Sequence, residues 1–492
     1  MIDLYKNLKN IFFILFTILF ITIFFISGDI RFSFEYKIKI LLIIILNIFP
    51  FYFISRYKKE KKIVPIFQLI LIYYFICYTT FFCTNFIFLN EYSFSGAVTN
   101  VIEPDINHME IALHLFLIGL IALNIGYFIL RLLLKNNSFE LRFLNIENDK
   151  ELLAITAFTN FTVLFFYYFI NIQSYIPAVS QLKFVFVFLS IVLNIIFITK
   201  SKNAGYMNKF IFSSCSLIIF YLEILEGSYA FPFLIIIFSI TIYFHIMKKI
   251  PLLSILFTII LFLFFHSFKY EYRSEVWYNS SEKVSADVIK LNEFKSEKLF
   301  KTSQNFINSF SQSNLDRKII DFRNRNIYRI HHSAESLVIV TALTPKEVPY
   351  WEGHSYKILL SKLIPRIFWK NKPSDTLGND FGHRYRILNE NDKNTSWNMP
   401  VMNEFYVNYG FIGVVLGMFA LGTLIRLLVF IISTKNEYNY HFISGFAALF
   451  PIFFLESHLS LVFGSVFQTY LFSIIYFTIL KKIINSNILK FK

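Results

Sequence analysis

Across 492 residues the chain is 56% hydrophobic and 20% aromatic, and only 16% of it is charged. Soluble domains carry about 25% charged residues, so a soluble globular enzyme is excluded and a polytopic membrane protein is expected. The net charge of +15 does not point to nucleic acid, because excess Lys and Arg in such a chain sit first in cytoplasmic loops, where they set orientation.

A helix that crosses a bilayer needs about 20 apolar residues. Twelve runs meet this in chain order: 11–27, 38–54, 63–89, 111–134, 152–170, 183–199, 210–226, 228–247, 250–268, 404–432, 442–456 and 459–480. Lys6 and Lys9 precede the first run, but it is long for a signal-peptide core and no small-x-small site follows. It reads as a retained span. Cys77, Cys83 and Cys215 all fall inside apolar runs, without disulfide or metal-ligand spacing.

Basic residues recur at every second boundary: Arg56 to Lys62, then Lys200, Lys202 and Lys209, Lys248-Lys249, Lys435 and Lys481-Lys482. The loop 90–107, with Glu91, Glu103 and Asp105, is poor in them. The positive-inside rule therefore puts both termini in the cytoplasm. Nine crossings before residue 269 place the segment 269–403 on the outer face, and long loops are largely exempt from the rule. The expected organisation is spans 1–9 in 1–268, one large extracytoplasmic loop in 269–403, and spans 10–12 with a cytoplasmic tail in 404–492.

Within that loop, residues 278–312 are rich in Ser, Asn, Lys and Glu. An amphipathic helix is predicted over about 316–344. Ile320, Ile327, Ile330, Ala334 and Leu337 form its apolar face. Arg325, Arg329, His332 and Ser336 recur at i, i+4, i+7 and i+11 on the other. Pro345 and Pro349 end it. The apolar side is expected to meet the bundle or headgroups, with the cations opposite.

No P-loop, dinucleotide fingerprint, zincin motif or nucleophile elbow is present, and neither a metal nor a cofactor is expected. The signal lies in arginine. Eight of thirteen arginines fall in the loop: Arg273, Arg317, Arg323, Arg325, Arg329, Arg366, Arg384 and Arg386. Guanidinium pairs with phosphate oxygens through two parallel donors and keeps its proton, which suits an anchored pyrophosphate. Arg273, Arg325, Arg329, Arg366 and Lys372 are the candidate phosphate ligands. Arg366 and Lys372 are each locked by a neighbouring proline, and Trp369 between them can stack on a sugar ring. His354 and His383 are the loop histidines preferred for proton transfer over His331-His332, whose side chains diverge on a helix. Glu404, opening the tenth span, is costly unless paired and is a candidate base. Glu223, Glu226, Glu456 and His458 are secondary candidates near the outer boundary. Gly410, Gly413, Gly417 and Gly422 thin the tenth span for close packing.

Residues around 350–422 resemble the Wzy-type oligosaccharide repeat-unit polymerases. The likeness rests on Gly353-His354-Ser355-Tyr356, Ile364-Pro365-Arg366 with Trp369 and Lys372-Pro373, Thr395-Ser396, and the run from Glu404 to Gly413. The turn Glu226-Gly227-Ser228-Tyr229 lacks the arginine of a family-like Gly-Ser-Arg turn. The resemblance implies an all-α, GT-C-like membrane glycosyltransferase of the bacterial inner membrane, working without a metal. It would pass a growing glycan from one undecaprenyl pyrophosphate to a hydroxyl of another lipid-linked unit, with Arg273, Arg329 and Arg366 holding the leaving pyrophosphate and Glu404 or His354 handling the acceptor proton. Its partners would be the lipid-linked glycan, membrane lipid, a chain-length regulator and a flippase. An O-antigen-ligase-like transferase shares this architecture. A lipid-linked oligosaccharide flippase is a third reading, although neither paired halves nor broken helices are evident in the sequence.

Overall fold

The computed structural model describes residues 33–56, 66–88, 101–102, 105–134, 145–168, 177–201, 205–247, 249, 251–278, 288–309, 315–364, 369, 371–372, 375–393, 395–432 and 438–485. Helices account for nearly all of them, and the only β-type pairing among the described residues is an isolated bridge between Asn145 and Asn439. The first helices are α1 (Phe34–Arg56), α2 (Ile66–Tyr74) and α3 (Thr80–Phe88), the last two joined by a π turn over Phe75–Thr79. Then come α4 (Ile106–Leu133), α5 (Asp149–Tyr168), α6 (Pro177–Lys200), α7 (Tyr206–Leu225), α8 (Ala230–Met247) and α9 (Leu252–Ser267). The loop region holds α10 (Lys269–Arg273), α11 (Val288–Ser309), α12 (Leu315–Leu343), α13 (His354–Leu363) and α14 (Leu377–Arg384). The chain closes with α15 (Val401–Ile432), α16 (Tyr440–Leu449) and α17 (Leu459–Asn485).

Among the described residues, eight helices are long and apolar enough to cross a membrane, and a ninth if α9 is counted with its continuation Lys269–Trp277, bent from it by 57°. The chain is therefore an all-helical multi-pass membrane protein. The expected run 11–27 lies outside the described residues, and 38–54 falls within α1. The runs 210–226 and 228–247 are two separate helices, α7 and α8, as expected. The run 442–456 is a correction: Tyr440–Phe454 is a short apolar helix ending in a 3-10 turn, and most of its side chains are buried in protein.

The bundle is organised on α4 and α15. Asp105 caps α4 by accepting the His108 N–H at 2.7 Å, and glycines then let the two backbones touch. A Cβ on Gly126 would lie 2.1 Å from the Phe419 carbonyl oxygen, and one on Gly422 would lie 2.2 Å from that of Leu123. From Gly119 against Val414 to Gly422 against the Tyr127 nitrogen, the contacts advance together along both helices, so α4 and the second part of α15 run parallel. The aromatic residues fill the space around them: Phe67 stacks on Tyr127 at 3.8 Å and Tyr78 on Phe116 at 4.8 Å.

The tenth span departs from expectation. α15 leaves helical geometry at Tyr409 and Gly410, the latter at φ 61° and ψ −143°, a region open only to glycine. The chain reverses there. A Cβ on Gly413 would meet the Phe405 carbonyl oxygen at 2.2 Å, and one on Gly417 would meet the Phe405 ring. Residues 401–408 thus fold back beside 411–432, and the expected span 404–432 begins only after the glycine. Together with the 57° bend at α9, this overturns the reading that no helix is broken.

α12 is the second correction. Its first half carries Ile319 and Ile320 exposed, whereas from His331 to Leu343 it is largely buried within the bundle. Tyr73 Oη and Ser333 Oγ are 3.0 Å apart, and Thr80 Oγ1 lies 3.0 Å from His331 Nε2. The face with Arg329, His332 and Ser336 turns inward, where Glu456 pairs with Arg329.

Gly422→Val places a branched side chain against backbone that has no room to yield, and overpacking of this kind costs about 1–3 kcal/mol. Thermal unfolding of detergent-purified protein should show a clear drop in midpoint for this variant. Gly205→Ala, where nothing lies within 4 Å, should unfold with the wild type.

Candidate polar site at the loop end of the bundle

The site is built around the turn between α16 and α17, residues 455–459. Its residues reach α12, α15 and the loop before α14. The Leu455 carbonyl accepts the Val401 N–H at 3.1 Å, and Glu456 takes Arg329 from α12. His458 Nε2 is 3.3 Å from Asp375. The Leu459 N–H donates to Glu404 Oε2 at 2.6 Å. A helix start leaves backbone N–H groups without partners, and Glu404 satisfies one of those at the head of α17.

Arg329 and Glu456 meet through two parallel hydrogen bonds, both 2.8 Å, with side chains 25% and 14% exposed. The Glu456 carboxylate raises the proton affinity of Arg329 above its ordinary value. Burial works against the charge on Glu456, but Arg329 outweighs it and keeps the carboxyl below its usual range. Beside the pair, burial and then the Arg329 charge push His332 down to about 4. Its ring lies 4.7 Å from that of Trp397. Among the described residues, His332 Nδ1, Ser336 Oγ and Trp397 Nε1 are buried polar atoms with no hydrogen-bond partner. Native interiors pair most such atoms, so three orphans beside a charged pair mark a place for a polar ligand.

Two of the predicted cations, Arg273 and Arg325, lie by α9 and α10 next to this pair. Arg273 donates from Nε to the Gly227 carbonyl at 2.8 Å and stacks on Trp277 at 4.2 Å. The turn 226–229, which lacks an arginine of its own, thus receives one from the neighbouring helix. Arg325 Nη1 reaches Glu271 at 2.6 Å and the Ser267 carbonyl at 2.9 Å. Lys269 senses the charges of Arg273, Arg329 and Glu456, so these groups share one electrostatic neighbourhood. Lys269 was missed in the sequence because lysine is common in this chain and arginine was the sharper discriminator.

The other expected residues stand apart. Glu404 is fully buried, and among the described residues its Oε1 has no hydrogen-bond partner. With Oε2 bonded to a backbone N–H it reads as a structural strut, not as a base open to substrate. His354 is exposed at the start of α13, its ring 6.0 Å from Trp351. Lys372 is buried and donates to the Ile364 carbonyl at 2.8 Å, tying its own loop together. Trp369 is partly exposed, and Arg366 lies outside the described residues. His383 Nε2 is 2.8 Å from the Asp392 carbonyl, fixing the turn after α14. Glu226 takes Lys295 of α11 at 3.1 Å, while Glu223 sits 3.6 Å from Lys183; both link helices at this end. The secondary pair Glu456 and His458 proves central, and His331 and His332 do diverge as expected, one to Thr80 and the other into the site. Asp375 bridges His458 and Lys362, the latter at 2.8 Å. Burial, only partly offset by Asp375, lowers the His458 proton affinity. Among the described residues no cluster of His, Cys, Asp or Glu is arranged to hold a metal.

Breaking a fully buried pair from one side strands the other charge at about 3–5 kcal/mol, and this partly buried pair falls below that. Arg329→Gln and Glu456→Gln should each lower the unfolding midpoint, and the double variant should lose less than their sum. Two groups at the pair contribute to the pH dependence of stability. His332 is lowered to about 4 from about 6.5 when unfolded, so stability falls as pH drops through that window. Glu456 is lowered below the unfolded carboxyl range of about 4.3, so its contribution is full above that range and lost as pH falls through the folded value. His332→Asn should flatten the upper part of a stability-against-pH curve, and Glu456→Gln the lower part.

The model of the family described as "Domain of unknown function (DUF8712)" matches residues 55–490, and the chain belongs to that family. No curated protein and no solved structure matches it.

Proposed function

We propose that the chain is a membrane glycosyltransferase that polymerises lipid-linked oligosaccharide repeat units, as the resemblance of residues 350–422 to the Wzy-type polymerases implies. The observation that carries the reading is the partly buried Arg329–Glu456 pair, with the unpartnered His332 Nδ1 beside it, the unpartnered Trp397 Nε1 and Ser336 Oγ flanking His332 on its ring contact and its helix face, and Lys269 and Arg273 alongside. Transfer of a glycan from a polyprenyl pyrophosphate expels a pyrophosphate, whose developing charge needs fixed donors. Lys269, Arg273 and Arg329 supply that positive charge from the chain itself. Arg366 belongs to the same expectation. An acceptor hydroxyl must lose a proton as the new glycosidic bond forms, and a general base needs to be present in its neutral form. His332, held uncharged by burial and by the neighbouring cations, has that form at neutral pH and replaces Glu404 and His354 as the preferred base. The amide and hydroxyl pattern fits sugar: Ser336 Oγ and Trp397 Nε1 can each bond a ring hydroxyl, and Trp397 offers a flat face for stacking. In this reading the loop end of the bundle faces the outer side of the bacterial inner membrane.

His332→Ala and Arg273→Ala should insert normally, while envelope glycan collapses from long chains to single repeat units, seen as loss of the ladder on a gel. Persistence of the full ladder in both variants defeats the assignment of these residues. Accumulation of full-length polymer on the lipid carrier instead identifies a ligase-like transferase.

A further inference from the structure

Residues 278–312, rich in Ser, Asn, Lys and Glu, have no part in the chemistry proposed above, yet α11 within them walls a cavity of about 460 Å³. Small-molecule sites run from about 300 to 1,000 Å³. The other walls are the bend from α9 into α10 and the outer half of α12. The two long helices line it in one pattern, with Thr302, Asn305, Phe306 and Ser309 on α11 and Lys318, Asp321, Phe322 and Arg325 on α12. Each set recurs at i, i+3, i+4 and i+7, the spacing of a single helix face. Phe268 at the bend completes an apolar wall. The Phe306 ring lies 5.7 Å from that of Phe268 and 6.4 Å from the near-parallel ring of Phe322.

The lining says what fits. Three carboxylates, Glu271, Glu275 and Asp321, stand there with two cations, Lys318 and Arg325, so a phosphate finds no surplus of positive charge. A lipid tail would cover the polar groups without bonding them, which is costly. A sugar ring answers both halves of the lining. Its hydroxyls donate to carboxylate oxygens and accept from amide and ammonium groups, and its C–H face lies against the electron-rich face of a phenyl ring. Bonding capacity is open for it. Glu271 and Glu275 each give one oxygen to a cation, Arg325 at 2.6 Å and Lys298 at 3.0 Å, and the second oxygen of each remains to accept. Among the described residues, Asn305, Lys318 and Asp321 make no hydrogen bond or ion pair. Arg325 joins the cavity to the cation site, since it stands four residues, or about 6 Å of helix rise, before Arg329.

We propose that the cavity between α10, α11 and α12 binds sugar rings of the glycan, while the pyrophosphate that carries the glycan sits at the Arg329 end of α12. The inference rests on the polymerase reading for what the sugar is attached to, and on the cavity alone for the sugar.

The test is saturation-transfer NMR of the intact protein, purified in a detergent without a sugar headgroup, with millimolar glucose, galactose, mannose, rhamnose or N-acetylglucosamine. Wild type should transfer saturation to at least one of these. Asn305→Ala and Asp321→Ala change exposed side chains, where folding is least at risk, and each should weaken that binding about fivefold, the worth of one hydrogen bond. Inorganic pyrophosphate should leave the signal in place. No signal from any of the sugars, equal binding by wild type and both variants, or full displacement by pyrophosphate overturns the proposal. The glycan ladder separates this inference from the reading beneath it. A ladder lost in His332→Ala and Arg273→Ala, with sugar binding unchanged in the cavity variants, sinks the cavity alone. A full ladder in His332→Ala and Arg273→Ala, with sugar binding weakened in the cavity variants, defeats the transfer site and supports the cavity as a sugar site.

Discussion

A guanidinium and a carboxylate taken out of water must be joined to each other with good geometry, or one of them must give up its charge. Arg329 and Glu456 meet that demand with two bonds of equal length, and the loop end of the molecule is arranged around their meeting. The pair fixes the depth at which α12 enters the bundle, since Arg329 marks the point where exposed positions give way to buried ones. It also fixes the turn 455–459, because Glu456 is flanked there by a carbonyl bonded to Val401 and an N–H bonded to Glu404. One ion pair thus registers three elements that are distant in sequence: the long loop helix, the head of α15 and the head of α17.

Broken helices create a second demand. In a low-dielectric setting, irregular backbone persists only where its polar groups find partners inside the protein. At the reversal after Asn408, the freed carbonyls of Val407 and Asn408 accept the N–H groups of Trp351 and Glu352 at 2.9 and 3.2 Å. The Asn408 side chain accepts the Gly353 N–H at 2.9 Å and donates to Ser355 at 2.9 Å. The residues that carry the family resemblance around 350–356 and 404–410 therefore hold one another: one stretch caps the helix end that the other breaks. Their clustering in the sequence has a structural cause as well as any chemical one. Glu404 belongs with this scaffolding, and the Leu459 N–H it accepts explains why a carboxylate stands at the head of an apolar segment.

Apolar periodicity and arginine placement made much of this legible. Runs of about 20 apolar residues locate most spans because length and composition alone decide whether a helix can cross a bilayer. The face Arg325, Arg329, His332 and Ser336 was readable from spacing, since helical geometry sets which residues are neighbours. Which way that face points was not. Sequence sets the apolar stripe toward the bundle or headgroups and the cations opposite, but Glu456, more than a hundred positions away, draws the polar stripe inward. The reversal at Gly410 was hidden for a similar reason. A glycine in an apolar run reads as close packing, which Gly422 does provide, whereas a positive φ depends on the chain on either side. His332 was passed over because its neighbour His331 is equally polar, and only the partners of each, Thr80 for one and Trp397 for the other, tell them apart.

The self-pairing of the arginines bears on how such a site turns over. Cations left bare in a partly buried pocket would hold a diphosphate so tightly that product release would limit the rate. Here Arg329 is matched by Glu456 and Arg325 by Glu271. On the proposed glycan-transfer reading, an incoming phosphate would exchange one anionic partner for another, so the net gain on binding would be modest while the donor geometry is already set. Interactions that strengthen as charge builds on the leaving group raise the rate, whereas equal attraction to bound substrate does not. On the same reading, carboxylates that share the arginines with the substrate would lower the ground-state attraction and keep the donors aimed at where the negative charge develops.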